Sequence, residues 1–346
     1  MDRTALRHVL FGLVAVSACF ISAVELSASA AAVGSLPAPV IFAPGVISGP
    51  GGDGAPAFSP DGSVLFFTRS AARWSIILES HRASGNWSEP RIASFSGEWS
   101  DSSPAFSPDG SYIIFVSTRP MTPDSSTSSD QKKDARPQMA SHIWRVNRQG
   151  SGWGAPVELP ATVNFCRLIF RPSVASDGTI YFTAQEKGKE LRLFRSLFVN
   201  GSYRPAEPLP FSDGTIKDVD PEIAPDQSFL IFSSRGRWTD DNSHEHLFMV
   251  RKTGNSWGEV IPLRYEGDDS LTSGDDNDPR LSPDQHTIYF SSDRSVSVVF
   301  PRTAQQARQD FDRMQTWDNG NTNVWTLPLI SAQGLNTKPD SRGETS

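Results

Sequence analysis

The stretch Pro104-Ala-Phe-Ser-Pro-Asp-Gly110, followed at once by Ile113-Ile-Phe115, decides the fold because the chain repeats it. A near-identical copy is Pro56-Ala-Phe-Ser-Pro-Asp-Gly62 before Leu65-Phe-Phe67. Three worn copies follow: Pro172-Ser-Val-Ala-Ser-Asp-Gly178 before Ile180-Tyr-Phe182, Pro221-Glu-Ile-Ala-Pro-Asp226 before Leu230-Ile-Phe232, and Pro279-Arg-Leu-Ser-Pro-Asp284 before Ile288-Tyr-Phe290. From proline to proline the steps are 48, 68, 49 and 58 residues. A unit of this size cannot bury its own apolar face and must stack on its neighbours. The short runs of Phe, Ile, Val and Tyr bounded by Pro, Asp, Gly and Ser are strands and turns, not amphipathic helices.

Each unit divides into four strands. Pro-Ala-Phe-Ser is the innermost, and Ser-Pro-Asp-Gly fits a type I turn. The second, such as Tyr112-Ile-Ile-Phe-Val-Ser117, is apolar on both faces, as a strand between two neighbouring sheets must be. The third and fourth keep a fixed interval of ten residues in four units: Ile77 to Trp87, Ile143 to Trp153, Leu193 to Tyr203 and Leu247 to Trp257. A hairpin of set register demands such an interval. The fifth unit reaches Val324-Trp325 and lacks its fourth strand, while Pro39-Val-Ile-Phe-Ala-Pro44 is a strand without a unit. The expected fold is therefore an all-β, five-bladed propeller of four-stranded blades over residues 33–330, closed by an N-terminal strand completing the last blade. Two insertions lie between second and third strands, Met121–Met139 and Ser295–Asn323, the latter with helical spacing over Thr303–Met314.

The ends and composition bound the setting. Arg3 and Arg7, an apolar run from Val9 to Val24 and small residues around Ala28–Ala32 form a signal peptide over residues 1–32, so the expectation is an exported protein, periplasmic or extracellular, with no transmembrane helix in the mature form. Val16-Ser-Ala-Cys19 resembles a lipobox, which leaves a lipid anchor at Cys19 as an alternative. Residues 331–346 form a polar tail, expected to be disordered. Once the leader is removed only Cys166 remains, so no internal disulfide forms. A formal charge of −7 with no basic face argues against nucleic acid as partner.

Phe-Ser-Pro-Asp-Gly, an apolar strand ending in Ser-x-Arg or Thr-Arg, and Gly-x-Trp-x-x-Pro together resemble the TolB-like, WD40-like propeller repeats of exported bacterial proteins. The resemblance spans roughly Pro39 to Leu329. It implies a scaffold that binds protein partners at the central funnel. The same repeat also decorates peptidases, but no Gly-x-Ser-x-Gly nucleophile elbow occurs here. Better-known TolB-like propellers have six blades, where five units are counted in this chain.

Candidate site residues follow from the repeat. Asp53, Asp101, Asp218 and Asp276 sit three places before the repeat proline, and Asp220 and Asp278 just before it. Together they would ring the funnel mouth, where they suit Ca²⁺ or a basic ligand. Arg69, Arg119, Arg235 and Arg294 end the second strand of the same four units, and the third unit, with Ile169, lacks both Asp and Arg. That joint loss marks the pairs as structural braces. The third unit instead offers Arg167 and Arg171, cations that would anchor a carboxylate. The turn aspartates Asp61, Asp109, Asp177, Asp226 and Asp284 bond their own turns, and Trp87, Trp153 and Trp257 pack blades. Asp240, Asp241, His244, Glu245 and His246 form a weak metal candidate. The expectation is a non-catalytic binding scaffold for a protein or small ligand. The alternative is a propeller glycoside hydrolase, or a metal-dependent lyase or lactonase, using carboxylates at the channel mouth.

Overall fold

The computed structural model describes residues 36–121, 140–238, 243–266 and 274–329. The leader, Cys19, the polar tail, most of the first insertion, and Asp240 and Asp241 lie outside the described residues. The first strand, β1 (Val40–Ile41), precedes the repeats. The first blade is β2 (Gly52–Phe58), β3 (Val64–Ala71), β4 (Trp74–Ala83), β5 (Asn86–Trp87) and β6 (Arg91–Ile92). The second is β7 (Asp101–Phe106), β8 (Tyr112–Ser117), β9 (His142–Gln149), β10 (Gly152–Trp153) and β11 (Val157–Glu158). The third is β12 (Ile169–Val174), β13 (Ile180–Ala184), β14 (Arg192–Ser196) and β17 (Glu207–Pro208), with a small hairpin of β15 (Phe198–Val199) and β16 (Ser202–Tyr203). The fourth is β18 (Lys217–Ile223), β19 (Phe229–Arg235), β20 (His246–Thr253) and β21 (Ser256–Pro262). The fifth is β22 (Asp276–Leu281), β23 (Thr287–Ser292) and β24 (Asn323–Pro328), with β1 on its outer edge.

All pairings inside the blades are antiparallel, and the innermost strands touch in a cycle: β2 with β7, β7 with β12, β12 with β18, β18 with β22, and β22 with β2. The chain is thus a five-bladed β-propeller around one channel. On β1, Val40 pairs with Thr326 and Ile41 with Trp325, and the Phe42 N–H donates to the Val324 carbonyl at 2.9 Å.

Proline explains why the outer strands are broken in three blades and not in the fourth. Pro90, Pro156 and Pro205 each follow the strand-opening aromatic by two or three residues and remove a ladder donor; Val260 at the corresponding place leaves β21 continuous. The tryptophans among them bridge blades: Trp153 packs against Phe66 of the preceding blade and Phe106 of its own, Trp257 against Tyr181 of the preceding blade, and Trp87 against Phe58 of its own blade and Phe42 beside the fifth. The core is accordingly a set of interblade seams, with Phe66, Phe115, Phe182, Phe232 and Phe290 fully buried. In the last insertion, helix α1 (Ala304–Thr316) is opened by Thr303, whose hydroxyl caps Gln306 N–H while the Gln306 side chain answers the Thr303 N–H.

Candidate binding site at the channel mouth

The site begins with a backbone irregularity that recurs in every blade. The residue before each repeat proline has positive φ: Ala55 at 47°, Ser103 at 53°, Arg171 at 54°, Asp220 at 59° and Asp278 at 52°. Each lies in a bulge where the register of the innermost strand shifts by one residue. In four blades the N–H of the bulged residue is donated sideways to the preceding blade. Ser103 donates to Thr68 Oγ1 at 2.9 Å, Ala55 to Ser291 Oγ at 3.0 Å and Asp220 to Thr183 Oγ1 at 2.8 Å. Asp278 breaks the pattern. Its N–H goes to the carboxylate of Asp220 at 3.1 Å, and Ser233, the hydroxyl in the equivalent place, is buried with its Oγ without a hydrogen-bond partner.

That exception centres an ion cluster spanning three blades. Arg171, from the third, forms an ion pair with Asp278 of the fifth and holds its Nε 3.7 Å from Asp220 of the fourth. Asp278 also accepts from Ser291 Oγ at 2.9 Å. Lys217 pairs with Glu245 alongside, and Arg235 Nη2 lies 3.7 Å from the same carboxylate. The side chains of Arg171 and Lys217 are 29% and 32% exposed, while those of Asp220, Asp278 and Glu245 are 5–6% exposed. Anions therefore lie beneath, and cations face the opening. Blades one and two contribute only small groups at this level, Gly54, Ala55, Ser102 and Ser103; a Cβ on Gly54 would stand 2.5 Å from Ser291 Oγ. The result is a cavity of about 360 Å³ bordered by Ser102, Phe170, Arg171, Lys217, Asp220 and Asn277.

Burial, reinforced by the charge of Asp278 and opposed by Arg171, pushes the Asp220 carboxyl up to about 7. Burial works against the charge on Arg171, but the carboxylates of Asp278 and Asp220 outweigh it and raise its pKa.

The outer acids do something else. Asp53 meets Arg69 (Nε to Oδ1, 2.6 Å), Asp101 meets Arg119 (2.6 Å) and Asp276 meets Arg294 (2.6 Å), all three carboxylates being fully buried. Each arginine lies over a phenylalanine of its second strand, Phe67, Phe115 and Phe290, at 5.7, 5.2 and 5.3 Å. Arg235 needs correcting: it pairs with Asp275 at 3.0 Å, and the partner of Asp218 is Arg237, two bonds of 2.7 Å. In the third blade an apolar pair, Ile169 opposite Ala184, replaces the brace. So the expected ring of six acids resolves into four braced residues and two, Asp220 and Asp278, held by Arg171. Arg167 contributes its carbonyl to the Ser141 N–H at 3.0 Å and does not border the cavity. Among the described residues no group of three or more His, Cys, Asp and Glu is placed to hold a metal ion. His246 stacks on Trp238 with centroids 4.4 Å apart.

The left-handed bulge and the roles of Lys217, Glu245 and Ser291 are absent from the sequence-based expectation. Their signal was in the position before the proline, which reads Ala, Ser, Arg, Asp, Asp around the ring: a repeat that keeps its backbone while its side chains turn from small to charged.

Fold and site together define a five-bladed propeller whose channel mouth is charged on three blades and open on two. Similar solved structures include TolB from Acinetobacter baumannii, at 16% identity and TM-score 0.45 over 80% of this chain and 54% of that one, so this chain spans about half its length. They also include a putative TolB from Agrobacterium tumefaciens, at 15% identity and TM-score 0.44 over 81% and 91% of the two chains. A third is the catalytic domain of a GH62 α-L-arabinofuranosidase from Coprinopsis cinerea, at 9% identity and TM-score 0.48 over 85% and 96%. These likenesses are of fold. No protein-family model matches the chain, and no curated protein is similar to it in sequence.

Proposed function

We propose that this protein is an exported binding scaffold whose channel mouth takes an acidic group, offered by a protein surface or a small ligand. The observation that carries this reading is Arg171: a partly exposed guanidinium set above two buried carboxylates, with Lys217 beside it. An incoming carboxylate would use the outward donors of Arg171 in the planar geometry that favours arginine. It would also favour the protonated form of Asp220, so binding would take up a proton and tighten as pH falls through about 7. The test is an array of short peptides of varied charge probed with the full chain. Wild type should retain acidic peptides about tenfold better than their amide counterparts, and Arg171→Glu should reverse that order. Retention indifferent to Arg171 would overturn the proposal.

One observation favours catalysis: a carboxyl pushed up to about 7 beside a second carboxylate is what a general acid requires. The glycoside hydrolase reading then assigns Asp220 as acid and Asp278 as its partner. A panel of nitrophenyl glycosides decides it. Turnover lost in Asp220→Asn supports hydrolysis, and no turnover by the wild type excludes it for those substrates.

A further inference from the structure

The opposite end of the channel holds a second cavity, of about 270 Å³, which shares no lining residue with the mouth. It is built by the same repeat read two residues later. The position after the proline runs Ala57, Ala105, Ser173, Glu222, Arg280, so the floor is small on three blades and charged on two. The next residue is apolar in every blade, with Phe58, Phe106 and Leu281 forming the wall, and the turn prolines stand around the rim.

The charged floor is fully assembled. Arg280 donates through Nη1 to Glu222 Oε2 and through Nη2 to the Pro172 carbonyl, both at 2.7 Å, so that it reaches from the fifth blade to the third. Glu222 Oε1 accepts the Leu281 N–H at 3.0 Å. Arg280 is 7% exposed in its side chain, and its buried Nε has no hydrogen-bond partner. Buried donors without partners are uncommon and mark places where an acceptor belongs. Arg280 and Glu222 cancel in charge. Glu222 is already disfavoured as an anion by burial, so a second anion would add to that cost, and a cation would compete with Arg280.

We propose that this end of the channel is a second binding site, for a neutral, apolar peptide segment that presents a carbonyl oxygen to Arg280. Aromatic and proline side chains suit an apolar residue, the floor suits one acceptor, and the volume admits about one residue with its flanking amides. This site is independent of the mouth and of any ligand there.

The probe is N-acetyl-L-prolinamide, titrated into the full chain with labelled methyl groups. A ligand of about eleven heavy atoms should bind with a Kd of order 1–10 mM. The methyl signals of Val174, Ile223 and Leu281 should shift, and those of Leu168 and Leu191 at the mouth should stay in place. N-acetyl-L-proline, with a free carboxylate, should bind at least about fivefold more weakly. Arg280→Met should abolish the shifts. Because Arg280→Met acts in a buried cluster, the wild-type shift map decides by itself. Shifts confined to the mouth, no shifts at all, or equal binding of the carboxylate would overturn the proposal.

Discussion

A left-handed residue placed before a proline is doubly disfavoured, because the ring pushes its neighbour toward extended backbone and a Cβ resists positive φ. Each such residue costs about 1–3 kcal/mol; among the described residues Ala43, before Pro44, is one, and the inner strands hold five more, at Ala55, Ser103, Arg171, Asp220 and Asp278. The offset is the N–H each turns outward, which ties one blade to the next in four of the five. At Asp220 that arrangement carries a pH consequence. Its carboxyl stands near 7 when folded, against an ordinary value of 3.8, so between those values the folded state holds a proton that the unfolded chain has lost. Its contribution is complete below about 3.8 and fades as pH rises through about 7. The turn aspartate Asp61 acts the other way. Hydrogen bonds from Ser59 first, then Ser63, hold it down at about 2, so its contribution is present above 3.8 and is lost as pH falls toward 2. We expect urea midpoints to decline from pH 5 to pH 8, and Asp220→Asn, whose amide oxygen can still accept the Asp278 N–H, to flatten that decline. An unchanged slope in the variant would remove Asp220 as its source. The braces were legible as residue pairs because the third unit loses both members at once. The mistaken Arg235 shows the limit of that reading. In the ladder Asp218 faces Ser234, and the brace arginine stands beyond the strand end, where Gly236 at φ 100° adds a residue and moves the role to Arg237. Register fixes side chains inside a ladder, not after it.

Among the elements, β1 is one of the shortest and among the most consequential. Val40 is 61% exposed and contributes little beyond its backbone, but Phe42, just past the strand, packs edge-on to Tyr289 at 5.0 Å and touches Phe58 and Trp87 at 6.1 Å each. It thus joins the fifth blade to the first. Phe42→Ala should cost about 2–3 kcal/mol, less than a fully buried Phe, and lower Tm by roughly 5–10 °C. Val40→Ala should stay within about 0.5 kcal/mol. Thermal melts followed by tryptophan fluorescence separate the two, and equal effects would show that β1 holds by backbone pairing alone. The missing fourth strand of the last unit and the spare strand at residues 39–44 were both visible in the sequence. The division of the outer strands was not drawn from it, although Pro90, Pro156 and Pro205 stood in plain view, because a hairpin interval fixes facing residues and says nothing of interruptions between them.

At the scale of the whole molecule, the ring's inner strands each touch two neighbours, so no blade can leave without exposing two seams. The number of blades was legible because period and motif count it directly. Which blades would carry charge at the same depth was legible only as a list of residues, since depth in the channel depends on the bulge, and the bulge is marked by its place before the proline and not by any one type of side chain. The seams are chemically uneven. Thr68, Thr183 and Ser291 accept a bulge N–H across their seams, whereas the second blade has Val116 at that place, facing the blade of Arg171. Thr68→Val keeps the shape of a residue only 4% exposed and strands the Ser103 donor, which should cost about 1–3 kcal/mol. Val116→Thr should gain up to about 1 kcal/mol by offering the Arg171 N–H a hydroxyl of the kind the other seams use. In both variants the ring predicts one cooperative transition with an unchanged denaturant slope, because weakening a single seam lowers the stability of every blade together. A biphasic melt in Thr68→Val, with one blade pair released ahead of the rest, would mean that the propeller is an array of nearly independent sheets.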